Sequence, residues 1–375
     1  MPLDKNACAA ADKKLYAAHP ELKGRKLTMA PEDAALRREW LSNYREQKQK
    51  KPKRPPKKPG SPVVPCSRTE KSIRGRFTET RLKCGDAGHL QAEGVNLAPR
   101  AEASFRIYRV RDGAALASAT HTMDVVNGEW RARRPNDNRA GDKFAFDVSA
   151  DGVSAVSDNQ FEYEDYPNYA AETKTFHCSS PPFAWTGKFD ISYSANAITV
   201  TVKIKLLNRN GSKPNSGDPM PPLVTDASGN YVPVSDADKA AMKADIESKL
   251  SSKRNLFRNA CIFGNGCTCG KPIRIVVRFV ESGEHHVVNL FTGSGRANAT
   301  NWTRVKTRDN SWAHETGHLL GWYDEYNGGA VGQPPRWQRN APANIMNVGL
   351  NEPPEYCWDF RDWFQGKTGE TWTVK

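Results

Sequence analysis

Long hydrophobic runs are missing from this sequence of 375 residues. No apolar stretch approaches the ~18 residues that a membrane-spanning helix needs, so we expect no membrane insertion. The first residues, MPLDKNACAAADKKLY, also lack the apolar core of a signal peptide, so we expect any secretion to bypass the Sec pathway. The length is that of two or three domains.

Acidic residues are scarce at the start of the chain, where the first 60 residues hold 16 Lys/Arg against 7 Asp/Glu. This segment therefore carries +9 of the total formal charge of +13, and the other 315 residues carry +4. Because the body of the protein is nearly neutral, the high overall basicity is poor evidence for a nucleic-acid-binding enzyme. We expect no nucleic-acid partner.

Residues 47–65 read QKQKKPKRPPKKPGSPVVP, with seven Lys/Arg and six Pro. Proline removes backbone donors and like charges repel one another, so this stretch is predicted to be an extended basic linker. A nuclear-localisation signal, a DNA-binding segment and a patch for anionic surfaces are the alternatives. The stretch has no aromatic residues that could stack on bases, which favours the linker.

Residues 1–46 are predicted to form a helical leader. Leu36, Trp40 and Tyr44 recur at the four-residue spacing that places side chains on one helix face. Such a face either packs on its own protein or serves as a docking surface for a partner.

Two larger segments follow the linker. Residues 66–178 contain short alternating segments separated by turn signals such as VNGE and DNRAGD, which predicts an antiparallel, immunoglobulin-like β-sandwich. Residues 183–375 combine strand patterns with one helical pattern, so we expect an α+β domain with its own core. The sequence therefore predicts a multidomain protein.

Three cysteines crowd into one loop-like stretch, CIFGNGCTCG, at Cys261, Cys267 and Cys269. A structural zinc ion there would need a fourth ligand, which the local sequence does not offer. We therefore favour a disulfide within the loop. A disulfide would imply an oxidising working compartment.

The segment that carries chemistry is NSWAHETGHLLGWYDEYN, which contains His314, Glu315 and His318. On a helix, residues four apart lie on one face, so the two imidazoles can bind one zinc ion. A glutamate directly after the first histidine can reach a metal-bound water. The alternative is a buried amphipathic helix whose two histidines are merely hydrogen-bonded.

Gly321 and Asp324 extend this pattern. A glycine at this offset can adopt a left-handed conformation, end the helix and turn the chain back towards the metal. Asp324 then supplies an oxygen as the third ligand, with Glu325 as its rival. Three protein ligands leave a fourth position for water, which is the arrangement of a catalytic zinc and not of a structural one.

The sequence HETGHLLGWYD resembles the extended zinc motif of the metzincin metallopeptidases, in the variant with aspartate as third ligand. The resemblance implies a metzincin-like α+β fold and a methionine turn beneath the metal, which Met346 in ANIMNVG fits. Some metzincins carry a tyrosine two residues after this methionine, where the present sequence has Val348. Tyr323 and Tyr326 are the remaining candidates for an assisting tyrosine.

The resemblance implies a zinc-dependent endopeptidase with one catalytic Zn²⁺ and a protein or peptide substrate. Glu315 would act as the general base that takes a proton from the zinc-activated water. Two alternatives stay open. The same chemistry could cleave peptidoglycan stem-peptide or amide bonds, or zinc could stabilise a binding module that hydrolyses nothing.

The layout of leader, basic linker, β-domain and C-terminal hydrolase resembles bacterial effector toxins, and KKLYAAHPELKGRKLTMAPEDAALRREW is similar to segments of type VI secretion effectors. This resemblance implies that the leader docks on a secretion spike or adaptor. It also implies a cognate immunity protein. The expected place of action is then the periplasm of a target cell or another oxidising compartment.

Overall fold

The structure is a computed structural model that describes residues 13–19, 39, 43, 70–98, 100–122, 127–131, 141–261, 263, 267, 269–306, 308–337 and 340–375. The predicted linker and most of the predicted leader lie outside these residues. Contacts divide the chain into two units, one of Met1–Thr80, His89–Glu129 and Asp142–Glu162, the other of Arg81–Gly88, Trp130–Gly141 and Tyr163–Lys375.

The strands are β1 (Ser72–Phe77), β2 (Arg81–Leu82), β3 (Ala87–Val95), β4 (Glu102–Arg109), β5 (Ala115–Thr122), β6 (Asn127–Arg131), β7 (Lys143–Ala150), β8 (Val153–Val156), β9 (Phe161–Tyr163), β10 (Tyr169–Ser180), β11 (Phe183–Ser194), β12 (Ala197–Arg209), β13 (Asn255–Arg258), β14 (Lys271–Phe279), β15 (His286–Phe291), β16 (Asn301–Thr303) and β17 (Trp372–Val374). The helices are α1 (Asp236–Leu250), α2 (Ser311–Leu319), a 3-10 helix (Pro354–Cys357) and α3 (Trp358–Thr368). None of the described helices combines the length and the apolar character needed to cross a membrane.

The first unit is built from antiparallel strands around an aromatic core. Strand β1 pairs with β3, and β4 pairs with both β5 and β7. Side chains alternate along β1 and β4, so every second residue is buried. Phe77 packs edge-on against Phe146 at 4.8 Å and against Phe161 at 5.0 Å between ring centres.

The second unit is organised by an eight-stranded sheet that curls into a half-barrel. Its central strand, β12, runs antiparallel to β11 and parallel to β14 and β15. Residues such as Val200, Val202 and Ile204 on β12 are fully buried. These residues belong to the same hydrophobic core as the buried faces of the helices that follow in sequence.

Helix α1 covers part of this sheet. The Ser235 side chain accepts a hydrogen bond from the Asp238 backbone N–H and thereby caps the helix N-terminus. Met242, Ile246 and Leu250 recur at four-residue spacing and are all buried. The sequence pattern of residues 235–257 predicts an apolar helical stripe of Met242, Ile246, Leu250 and Leu256; the first three form it, whereas Leu256 lies on β13.

The predicted fold class is wrong. Strands hold 40% and helices 17% of the residues, so the protein is mostly β, and neither a helical leader nor a metzincin-like α+β domain is supported. Of the leader, the structure describes a helical stretch at 13–18 and two separate residues, Glu39 and Asn43. In the C-terminal part, the α+β prediction is wrong because three long strands dominate the unit. These are β10 and β11, of 12 residues each, and β12, of 13 residues.

Strand β10 belongs to this sheet as well. It pairs with β11 from Tyr169↔Tyr193 to Ser180↔Phe183, although most of its residues belong to the predicted segment 66–178. The contacts therefore group the chain from Tyr163 onward with the C-terminal part. The immunoglobulin-like sandwich predicted for residues 66–178 is part of the same fold class, which the structure contradicts. Strand β10, at the end of this segment, pairs with β11 instead.

Candidate metal centre

Helix α2 presents two histidine side chains on one face, one turn apart. The rings of His314 and His318 lie 5.1 Å apart. The Nδ1 atom of His314 is 2.9 Å from the carbonyl oxygen of Ile345, and that of His318 is 2.9 Å from the carbonyl of Trp322. A carbonyl only accepts, so each Nδ1 donates a proton, and Nε2 is the nitrogen of each ring that could bind a metal.

Asp324 brings a carboxylate to the same point. Gly321 has φ +89°, the left-handed conformation that the sequence predicts, and it turns the chain after α2. The Oδ1 atom of Asp324 then lies 3.1 Å from Nε2 of His314 and 3.4 Å from Nε2 of His318. The other oxygen, Oδ2, accepts from the Ala330 backbone N–H at 2.7 Å, which holds the carboxylate in place.

These separations match a shared cation. Ligands about 2.0–2.2 Å from a tetrahedral zinc ion lie about 3.3 Å from one another. Oδ1 of Asp324 is buried and has no hydrogen-bond partner among the residues that the structure describes. The ligand atoms of His314, Glu315 and His318 lie within 4.8 Å of one another, so this group can hold a metal ion.

The pKa of Asp324 fits a carboxylate that stays ionised. Burial by itself raises the pKa of this carboxyl, but the close imidazoles of His314 and His318 outweigh burial and lower it well below its ordinary value. An ionised oxygen beside two imidazole lone pairs is repulsive unless a proton or a cation lies between them. A cation held between these atoms would remove that repulsion.

Glu315 is buried beside this point, and its Oε2 atom has no hydrogen-bond partner in the described part of the chain. Burial raises the pKa of the Glu315 carboxyl to about 7, against the attraction of His314, and the charge of Asp324 adds to the rise. Lys213 and Arg296 lower the same pKa. A carboxyl whose pKa lies near neutrality can both take up and release a proton.

Met346 lies against the helix that carries the histidines. It is fully buried. A Cβ atom at Gly317 would clash with the Met346 sulfur and would come within 2.9 Å of the Trp322 ring. Gly317 is therefore the residue that lets the methionine pack directly against α2.

Asn310 ties the start of α2 to the turn that carries this methionine. Its side-chain Nδ2 donates to backbone carbonyls at 3.1, 3.2 and 3.1 Å, those of Ile345, Asn347 and Gly349. Since the Ile345 carbonyl also receives the Nδ1 proton of His314, this turn positions a metal-facing histidine as well.

Glu325, the rival third ligand, is engaged elsewhere. It is fully buried, and its Oε2 atom accepts from the Asn344 side chain at 2.7 Å. The Asn347 side chain donates to its backbone carbonyl at 2.9 Å. Asp324 lines the cleft beside the histidines and Glu325 does not, so the geometry favours Asp324 as the ligand.

The two candidates for an assisting tyrosine lie in different surroundings. The hydroxyl of Tyr323 accepts from the Ser179 backbone N–H at 3.2 Å, away from the metal-facing atoms. Tyr326 lines the cleft, with its ring 6.1 Å from that of His314, and its hydroxyl accepts from Arg296 at 2.8 Å. Burial raises the pKa of Tyr326 to about 12, so the phenol stays protonated at neutral pH.

The metal-facing atoms, which are Nε2 of His314, Nε2 of His318 and Oδ1 of Asp324, lie beside an open cleft of about 1070 Å³. Both histidines of α2, Glu315 and Asp324 form part of its wall. Its lining also includes three exposed apolar side chains, those of Phe183, Val287 and Val348. A ligand with an apolar group could therefore reach His314, His318 and Asp324 from solvent.

A second group of potential ligands lies in the same unit. The structure does not contain the disulfide predicted within the loop. None of the three loop cysteines forms a disulfide, and the sulfurs of Cys261 and Cys269 are 3.4 Å apart. Cys84 joins them, with its sulfur 3.0 Å from that of Cys267 and 4.0 Å from that of Cys261. These four cysteines can also hold a metal ion.

Sequence reasoning missed Cys84, Asn310 and Gly317. Cys84 had one local signal, since it precedes a glycine as Cys269 does, but nothing marked its partners. Gly317 stands inside the HETGH motif, where a glycine in a helix is costly and so indicates a close contact. Asn310 carried no signal that separates it from an ordinary polar residue before a helix.

Compared with known proteins, the chain matches no family model, and no curated protein sequence matches it significantly.

Proposed function

We propose that the protein is a zinc-dependent peptidase in which His314, His318 and Asp324 hold the metal and Glu315 is the general base. The observation that carries this proposal is the convergence of two Nε2 atoms and Oδ1 at 3.1 and 3.4 Å on the wall of an open cleft. When bound, zinc would supply a Lewis acid for the scissile carbonyl and a water of lowered pKa. In this proposal, metzincin-type site chemistry operates on a mostly β fold.

Glu315 takes the proton from the attacking water and passes it to the leaving nitrogen. Its position directly after His314 on α2 places it beside the ligands, and its burial excludes bulk water from the carboxyl. The Lys213 and Arg296 charges act on the same carboxyl and favour its ionised form, which is the form that accepts a proton.

Tyr326 is the proposed assisting residue. Its phenol lines the cleft near His314 and is oriented by the 2.8 Å hydrogen bond from Arg296. Since this bond uses an acceptor lone pair of the hydroxyl, the O–H proton can be donated, either to the neighbouring Asp324 carboxylate or to negative charge that develops on a substrate carbonyl. Tyr323 is not proposed for this role, because its hydroxyl is held at Ser179.

The cleft favours a polypeptide over a small substrate. Its volume of about 1070 Å³ exceeds what a single amino-acid side chain occupies, and the exposed Phe183, Val287 and Val348 offer apolar contacts on its wall. Peptidoglycan, which carries short peptides on a glycan, is the competing substrate for the same chemistry.

The experiment measures zinc content and hydrolysis side by side for the wild-type protein and Glu315→Gln, with casein and purified sacculi as separate substrates. We expect Glu315→Gln to keep its zinc and to lose about 10²–10⁴-fold in rate, because only the proton transfer is removed. Hydrolysis of sacculi with casein untouched would shift the substrate to peptidoglycan. Normal hydrolysis by Glu315→Gln would contradict the proposed base.

Delivery as a type VI effector, a spike or adaptor partner and an immunity protein stay predictions. They depend on the leader, most of which lies outside the described residues. Delivery into a neighbouring cell by a protein that lacks residues 1–46 would contradict the proposed docking role of the leader.

A further inference from the structure

We propose that Cys84, Cys261, Cys267 and Cys269 form a second metal site, a closed tetrathiolate that holds a structural zinc ion. This site is independent of the proposed peptidase chemistry. It binds a divalent cation of soft-ligand preference and stabilises the second unit of the chain.

The sulfur separations fit four ligands of one ion. Three of the sulfur pairs lie 3.0, 3.4 and 4.0 Å apart, and all four sulfurs lie within 4.8 Å of one another. Zinc–sulfur bonds of about 2.3 Å in a tetrahedron place sulfurs about 3.8 Å apart. A disulfide requires about 2.05 Å, so the sulfurs are spaced as ligands and not as bonded pairs.

Burial points to a structural site. The four cysteines are between 4% and 8% exposed. A buried thiolate without a counter-charge is costly, whereas a bound cation neutralises it. Four protein ligands leave no position for water, and soft thiolates select zinc over magnesium or calcium.

The backbone around the site is built for close approach. Gly85 has φ +90°, and a Cβ atom there would lie within 2.9 Å of the Cys261 Cβ atom. The guanidinium of Arg258 donates to the Cys84 carbonyl at 3.1 Å and pairs with Asp86 at 2.6 Å. Arg258 ends β13, so the Cys84 turn is fixed against the strand that precedes the three-cysteine loop.

The site connects residues that are distant in sequence. Cys84 and Cys261 are 177 residues apart, so closing this contact in the unfolded chain is entropically costly. A bound ion offsets that cost, since its binding free energy becomes folding free energy. Thiolate ligands must also stay reduced. The oxidising compartment inferred from a loop disulfide is therefore not part of this proposal.

The test uses the full chain purified under reducing conditions. The double variant His314→Ala/His318→Ala removes the cleft ligands, so any zinc that stays reports on the cysteines alone. We expect about one zinc ion per chain, and zinc-edge X-ray absorption should show four sulfur neighbours at about 2.3 Å. Nitrogen or oxygen neighbours, iron in place of zinc, or a metal-free protein whose four cysteines resist alkylation would overturn the proposal.

A cysteine variant in the same background locates the ion. We expect Cys84→Ser to abolish zinc retention and Cys178→Ser to leave it unchanged, because Cys178 is equally buried but lies outside the cluster. Full zinc retention by Cys84→Ser would contradict the site. If Cys84→Ser does not fold, the absorption spectrum of the double histidine variant still decides. A failure of the peptidase proposal affects neither measurement.

Discussion

The two ligand clusters of the second unit differ in donor type, number and access. His314, His318 and Asp324 offer two nitrogens and one oxygen on the wall of an open cleft. The cysteine cluster offers four sulfurs. Three ligands beside a buried carboxylate and a cavity suit catalysis, whereas four thiolates without an open position suit stability. In this account, zinc would have a catalytic role at one site and a structural role at the other, and the two roles differ because the ligands differ.

The largest effect is expected from His318→Ala. Removing one imidazole leaves the cleft metal with two protein ligands, so we expect loss of this zinc and of measurable hydrolysis, a larger loss than Glu315→Gln causes. Metal analysis should fall from about two zinc ions per chain to about one. Loss of both ions from a folded variant would show that the two clusters are not independent.

The next comparison decides the third ligand. We expect Asp324→Asn to weaken zinc binding in the cleft by more than about 100-fold, since losing only a residue that hydrogen-bonds a zinc ligand costs about 10–100-fold. Glu325→Gln is the matched control, because it removes a neighbouring buried carboxylate that accepts from Asn344.

The control should keep the cleft zinc, and its effect should fall on stability, by about 1 kcal/mol through the altered hydrogen bond to Asn344. Competition with a chromogenic chelator measures both affinities. The opposite pattern, with zinc lost from Glu325→Gln and retained by Asp324→Asn, would reassign the ligand.

A smaller effect tests the packing beneath the cleft site. We expect Gly317→Ala to lower the free energy of unfolding by about 1–2 kcal/mol, because its Cβ would clash with Met346 and this overpacking exceeds the gain in helix propensity. Chemical denaturation measures the change.

Gly366→Ala provides the matched control, since no atom lies within 4 Å of its added Cβ on α3. We expect it to be neutral or stabilising by up to about 1 kcal/mol. Equal destabilisation by both substitutions would show that Met346 does not restrict position 317.

Local spacing made the cleft site predictable. His314 and His318 are four residues apart, and Gly321 follows after three, so helix geometry and one left-handed residue are enough to bring Asp324 back to the histidines. The apolar stripe of α1 is predictable for the same reason, since its period is encoded within 15 residues.

The cysteine cluster and the fold class depend on long-range contacts that spacing does not encode. Cys84 reaches the loop across 177 residues, so three of four ligands were visible and the fourth was not. Similarly, β12 pairs with β14 and β15, which follow it after long intervening segments. The resemblance to metzincins rested on the residues 314–346, which carry no information on this pairing.

Anomalous diffraction at the zinc edge, from crystals of the protein grown without added chelator, tests the central claim most directly. The account predicts a peak about 2.0–2.2 Å from Nε2 of His314, Nε2 of His318 and Oδ1 of Asp324, facing the cleft. A map with no anomalous peak between those three atoms would contradict it.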